Sequence, residues 1–282
     1  MEKYYRFAGL ELLIDLPDDK MYTDQQMLEP FQVERVTKPH SFRFRLVSAL
    51  QPPEGECAHV HDRFRVYRDA AREIRYFGAV GDSWEKAYAR VVHQGLNHEV
   101  TLVDRRFPDF VGANIVMNCL AAEHLIARSG GFILHSSFVD IGGKAILFTA
   151  PSGTGKSTQA GLWEKLRGET VINGDRAAIR FENHRPMACG IPYAGSSGIC
   201  HNAMLPLAAV VYLSQKENTT IRRLHGFAAF RAIWEGCSVN TWNEEDTQLV
   251  SGIVERIVST VPVFHLACRP DESAVLALEG VL

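Results

Sequence analysis

The chain has 282 residues, 46% hydrophobic and 22% charged, with a formal net charge of −3. That length suits two domains and a sizeable core, and the composition excludes a disordered or fibrous chain. No lysine or arginine run is dense enough to follow a nucleic-acid backbone, which speaks against DNA or RNA as a partner. No apolar run reaches the roughly 20 residues that span a bilayer, and the amino-terminal stretch lacks the order of a signal peptide, so a cytoplasmic protein without a membrane partner is expected. Six cysteines without a close pair read as reduced, buried thiols.

The first hundred residues alternate strand-like runs with turns. SFRFRLVSAL (41–50), DRFRVYRD (62–69) and HEVTLVD (98–104) each alternate apolar and polar residues, and QPPEGEC (51–57) reads as a surface turn. A β-rich amino-terminal domain over 1–112 follows. The histidines His59, His61 and His93 within it do not make a metal pattern. NIVMNCLAAEHLIARSGG (114–131) then takes a helical period, with Ile115, Val116, Cys119 and Leu120 on one face and Gly130 with Gly131 as the stop. It opens a second domain over 113–282.

FILHSSFVDI (132–141) and KAILFTA (144–150) read as a hairpin turned at Gly142 and Gly143. STQAGLWEKLRG (157–168) reads as a helix stopped by Gly168. Strands follow at TVING, RAAIRFE, MACG, LAAVVYLS and IRRL, then helices at GFAAFRAIWEG and EEDTQLVSGIVERIVSTV. The strand PVFHLAC and a last helix capped by Asp271 close the chain. Trp163, Trp234 and Trp242 read as core.

Between the hairpin and the helix lies PSGTGKST (151–158), in the setting of the phosphate-binding pattern G-x-x-x-x-G-K-[ST]. Gly155, Lys156 and Ser157 match its second half, and Ala150 stands where its first glycine belongs. Consecutive amides from Ser152, Gly153, Thr154, Gly155 and Thr158 must converge on phosphate oxygens, with the positive end of the helix behind them. Lys156 would bridge the outer phosphates, and a hydroxyl of Ser157 or its neighbour would hold Mg2+. This reads as binding of a nucleoside triphosphate. The absence of an L-S-G-G-Q signature and of a strand ending in Asp-Glu excludes a transporter ATPase.

LHSSFVDIGGKAILFTAPSGTGKST, followed about twenty residues later by VINGDRAAIR, resembles the catalytic domain of HPr kinase/phosphorylase and, more distantly, ATP-dependent phosphoenolpyruvate carboxykinase. The resemblance covers roughly 131–224, with further likeness in the tail from Val261. It implies an α/β phosphate-loop domain with a mixed sheet, phosphoryl transfer from ATP with Mg2+, and self-association. By the same resemblance His135 lies near the transferred phosphate, and Asp175 is one of two adjacent acidic residues that divide metal binding and general-base duty. Here the pair is broken, because Gly174 and Arg176 flank Asp175, and Thr158 stands where the family has an acidic residue. Reversal of the reaction is accordingly not expected.

The acceptor side is read from the residues alone. GIPYAGSSGICHN (190–202) offers Gly195, Ser196 and Ser197 as a backbone nest for a substrate or the γ-phosphate, or as a simple connecting loop. Arg222 and Arg223 offer guanidinium forks for a phosphate or carboxylate, and Arg176 offers its charge in place of a second metal. The expected activity is an ATP- and magnesium-dependent kinase acting on a hydroxyl of a peptide or protein serine, or of a small molecule. The alternatives are a catalytically inactive nucleotide-binding regulatory module and an ATP or pyrophosphate hydrolase.

Overall fold

The computed structural model describes residues 2–17, 26–69, 72–104 and 113–282. Over these residues the protein is α/β, with two mixed sheets of nine strands each. Two compact units carry them: Met1–Arg6 with Leu10–Ala122, and Phe7–Gly9 with Glu123–Leu282.

The first unit is built from β1 (Glu2–Phe7), β2 (Leu10–Asp15), β3 (Gln32–Val33), β4 (His40–Val47), β5 (Glu56–Val60), β6 (Phe64–Arg68), β7 (Glu73–Phe77), β8 (Ala89–Gln94) and β9 (Asn97–Val103), followed by helix α1 (Ala113–Leu120). The sheet order is β3-β1-β2-β4-β9-β8-β7-β6-β5. Alternation explains β4: Phe42 and Phe44 point into the core, while Arg43 and Arg45 point out. His40, His98 and His93 form a hydrogen-bonded chain, Nδ1 to Nε2 at 3.0 Å and Nδ1 to Nδ1 at 3.1 Å, which the sequence spacing does not reveal.

The helical stretch expected over 114–131 is two helices, α1 and α2 (Ala122–Arg128), because buried Ala121 takes a left-handed φ of 52°. A non-glycine residue there ends the helical run. Residues 105–112, ahead of the expected domain start, lie outside the described residues.

The second unit opens with the long strand β10 (Gly131–Ile141), which turns back into β11 (Lys144–Thr149) through Gly142 and Gly143. The loop over 150–155 leads to α3 (Lys156–Arg167). Then come β12 (Thr170–Asn173), β13 (Arg176–Glu182), β14 (Arg185–Gly190), β15 (Met204–Gln215), β16 (Thr220–Leu224), α4 (Gly226–Trp234), β17 (Cys237–Ser238), α5 (Glu244–Thr260), β18 (Val263–Cys268) and α6 (Glu272–Glu279). The strand path is β11-β10-β13-β14-β15-β18-β16, and β11 also pairs in parallel with β15.

Two apolar clusters pack on opposite faces of these strands. Val250, Val254 and Ile257 of α5, with Ala229 and Ile233 of α4, pack against Phe132, Leu134 and Leu147. Ala160 and Trp163 of α3, with Val275 and Leu278 of α6, pack against Ile146, Phe148 and Val211. Strands covered on both faces read as near-continuous apolar runs, which is why LAAVVYLS carries no alternation. Trp163 is buried, as expected of core, and Trp234 and Trp242 are half-buried. The cysteines are all free, but Cys57 is exposed and Cys237 half-buried, so the expectation of six buried thiols fails for these two. Cys57 lies on β5, the end strand of the first sheet, which is exposed along most of its length. Among the described residues no helix is long and apolar enough to cross a membrane.

Candidate functional site

Strand β10 changes partners within its length, and the change falls at the site. His135 is the last residue registered with β13, opposite Arg176, and Ser136 is the first registered with β11, opposite Thr149. Between these diverging neighbours the backbone is held by bonds from outside the ladder. His135 N–H donates to the Gly236 carbonyl at 2.8 Å, Ser136 N–H donates to the Asp175 carbonyl at 2.9 Å, and the Thr149 hydroxyl donates to the His135 carbonyl at 3.0 Å.

The 151–155 loop leaves β11 on the same edge. Gly153 and Gly155 have φ of 79° and 111°, values that favour glycine and let successive amides turn inward. Ala150 is absent from the residues with positive φ, so its backbone is ordinary and the missing first glycine costs the loop nothing at that position. Gln159 N–H is bonded to the Gly155 carbonyl. The amides of Lys156, Ser157 and Thr158 precede the first such helical bond of α3 and face the loop, which is the usual basis of anion binding at a helix start. Lys156 is buried, its Nζ 3.0 Å from the Ala150 carbonyl and 3.5 Å from that of Pro151. Burial lowers its pKa, and the carboxylate of Asp175 opposes that shift.

Asp175 sits in the turn between β12 and β13, and fully buried Asn173 builds that turn. The Asn173 side-chain oxygen accepts the amides of both Asp175 and Arg176 at 2.9 Å, and its nitrogen donates to the Ile191 carbonyl at 2.9 Å. The Ser137 and Ser157 hydroxyls both donate to the Gly174 carbonyl, at 3.1 and 3.2 Å. This ties the loop serine to the residue beside Asp175. His135 Nε2 lies 3.2 Å from Asp175 Oδ1, and both side chains are partly open to solvent, at 36% and 26%. The adjacent His135 ring pulls the Asp175 pKa below its usual value, helped by Arg176 and Lys156 and opposed by burial. The Arg176 guanidinium stacks over the Tyr193 ring at 4.5 Å. Its Nε is 3.3 Å from Asp175 Oδ2 but out of line for a hydrogen bond, so that contact is electrostatic only.

The structure therefore brings Lys156, Ser157, His135, Asp175 and Arg176 to one place. The 195–197 turn joins them. Gly195, with φ 53°, lies so close against Asp175 that a Cβ there would come within 2.8 Å of the Asp175 Cβ, and the Ser197 hydroxyl lies directly over Gly174. Ser196 is exposed and makes no polar side-chain contact among the described residues.

Arg222 and Arg223 do not join. Register carries Thr149 to Tyr212, Tyr212 to His265 and His265 to Arg222, so Arg222 is three strands from β11, about 14 Å away at the usual strand spacing. Sequence order hid this because β16 lies at the far edge of the sheet.

Beside the 151–158 loop opens a cleft of about 560 Å3, lined by 153–155, Thr158 and Gln159 on one side and by 213–217 and 268–270 on the other. Ser152 lies on the outer rim of the loop, in a second hollow that includes Tyr212 and Ser214. Sequence reasoning missed the cleft, Asn173, Ser137 and Tyr193. Only the Asn173-Gly174-Asp175 turn left a local signal, since asparagine commonly bonds to amides two and three residues on.

A search of solved structures finds the HPr(Ser) kinase/phosphatase from Coxiella burnetii, with 14% identity over 53% of this chain and 87% of that one, at a TM-score of 0.32. No family model and no curated protein matches the chain. At that TM-score the similarity carries no weight, and the site is defined by the chain's own residues.

Mg2+ is tested by its donors. Among the described residues no three His, Cys, Asp or Glu side chains come together to hold a metal alone. A hydroxyl and one carboxylate beside a glycine-rich loop at a helix start nevertheless fit Mg2+, which takes one or two carboxylates, phosphate oxygens and water. Ser157 and Asp175 would be that pair.

Proposed function

We propose that this protein is an ATP- and magnesium-dependent phosphotransferase that moves the γ-phosphate to a hydroxyl of a peptide or protein serine, or of a small molecule. The observation that carries the reading is the convergence of Lys156 and Ser157 of the loop with the His135–Asp175 pair, supplied by three separate segments. Loop amides and Lys156 would hold the phosphates, and Ser157 and Asp175 would hold Mg2+, which supplies charge neutralisation when bound. Asp175 stays ionised at neutral pH because its pKa is lowered, which suits a metal ligand better than a base.

A His135 tautomer with its proton on Nε2, facing Asp175 3.2 Å away, would leave the lone pair on Nδ1. It is the group to accept the acceptor's proton as the new O–P bond forms and the bond to the β-phosphate oxygen breaks. The carboxylate orients the ring and stabilises the imidazolium. Arg176 adds a cation beside the site without taking the second Asp175 oxygen into a hydrogen bond.

The test is transfer of label from γ-labelled ATP, with Mg2+, into a mixture of peptides and metabolites, with Asp175→Asn in parallel. Label on an acceptor, lost in the variant, supports the reading. Free phosphate alone would make the protein a hydrolase. A second reading, a nucleotide-binding module without turnover, is favoured by Gly174 and Arg176 standing beside Asp175 where a second carboxylate would be. Nucleotide bound with no label moved would establish it.

A further inference from the structure

The cleft beside the phosphate loop has a polar floor that the phosphotransfer reading does not use. Strands β15 and β18 run parallel to β11, so their carboxyl ends, at 213–217 and 268–270, lie on the edge from which the loop leaves. Leu213 and Cys268 are buried and present apolar surface. Gln159, one helical turn into α3, lines the cleft, is 2% exposed and has a buried Nε2 with no hydrogen-bond partner. A buried amide with an unmatched N–H is costly unless something arrives to match it.

We infer that this cleft takes the base of the nucleotide and that Gln159 selects adenine over guanine. This inference rests on the phosphotransferase reading, since the cleft is continuous with the phosphate loop. A carboxamide presents a donor and an acceptor side by side, and turning it over only exchanges their places. Adenine offers the complementary edge, an amine beside the acceptor N7, which Gln meets with two bonds. Guanine offers two acceptors on the same edge, O6 and N7, and so sets a carbonyl against the amide oxygen. The cleft's 560 Å3 falls within the range of small-molecule sites, about 300–1,000 Å3.

Calorimetric titration of the full chain with ATP, GTP and inorganic tripolyphosphate, each with Mg2+, decides the matter when repeated on Gln159→Leu. Leucine is close in volume and breaks no hydrogen bond made by the amide nitrogen, so the fold should survive, and a thermal melt checks this. The wild type should bind ATP tighter than GTP by about tenfold or more. In Gln159→Leu the two nucleotides should bind alike, while tripolyphosphate, which has no base, should show the same affinity for both proteins. Equal ATP and GTP affinities in the wild type, or a preference that survives in Gln159→Leu, would overturn the inference while tripolyphosphate binding left the phosphate site standing. Failure of all three ligands to bind would bring down the phosphate site, and this inference with it.

Discussion

Asn173→Ala is the most informative single change. Asn173 touches no part of the proposed chemistry, yet its side chain makes three hydrogen bonds of 2.9 Å that shape the turn carrying Asp175 and Arg176. Removing it leaves two amides to find new partners around a fully buried position and takes from the Ile191 carbonyl one of its two donors, the other being the Tyr193 amide. At about 1 kcal/mol net for each bond the loss is about 3 kcal/mol. For a domain of 150–250 residues that is about 6–12 °C in Tm. Differential scanning calorimetry measures the stability, and transfer from labelled ATP measures the turn's hold on Asp175. Both should fall. In Asp175→Asn transfer should be lost with a much smaller drop in Tm, because that side chain is partly exposed and its contact with Arg176 is not a hydrogen bond. A Tm within about 2 °C of wild type in Asn173→Ala, with transfer intact, would refute the assignment of the turn to Asn173.

Four further outcomes are expected. Lys156→Met should abolish phosphate binding by titration yet leave Tm unchanged or raised at neutral pH. Its folded pKa is lowered by burial, so the charged form opposes folding at every pH below that value. Asp175, with its pKa lowered, contributes stability that is present above its unfolded pKa near 3.9 and lost as pH falls through the lower folded value. The difference in Tm between wild type and Asp175→Asn should therefore be flat from pH 5 to 8 and shrink only in acid. Gly195→Ala should reduce transfer, because a Cβ at φ 53° meets the Asp175 side chain, and it should leave tripolyphosphate binding in place; undiminished transfer would remove the turn from the site. Arg222→Ala and Arg223→Ala should leave transfer unchanged, and loss of activity in either would contradict their placement three strands from the loop.

Local chemistry made much of the second unit legible. The Gly142–Gly143 turn, the Gly168 stop and the Asp271 cap, which accepts the Ser273 amide at 2.9 Å, are each set by a few adjacent residues. The same holds for the loop, whose glycines and lysine act within one stretch of chain. The break at Ala121 was not legible, because the strings on either side both favour helix and tertiary packing chose the left-handed residue between them. Arg222 and Arg223 misled for a related reason. Their chemistry suits an anion, but whether a strand lies beside the loop or at the far edge depends on pairings over more than fifty residues, and no local signal encodes those. Asn173 shows the middle case, a buried polar residue whose importance depends on what lies beneath it.

The insertion of β11 between β10 and β15 also bears on when the site comes into existence during synthesis. The hairpin and loop emerge first, but the parallel partner of β11 arrives with 207–212, and β18, which closes the cleft, with 263–268. Non-local parallel pairing is slow because chain entropy is lost before the contact is gained. A nascent chain that carries all of 151–158 therefore has no formed site of the proposed kind until residues 263–270 have left the ribosome. From then on a bound nucleotide would favour only the finished unit, acting as a late ratchet on folding.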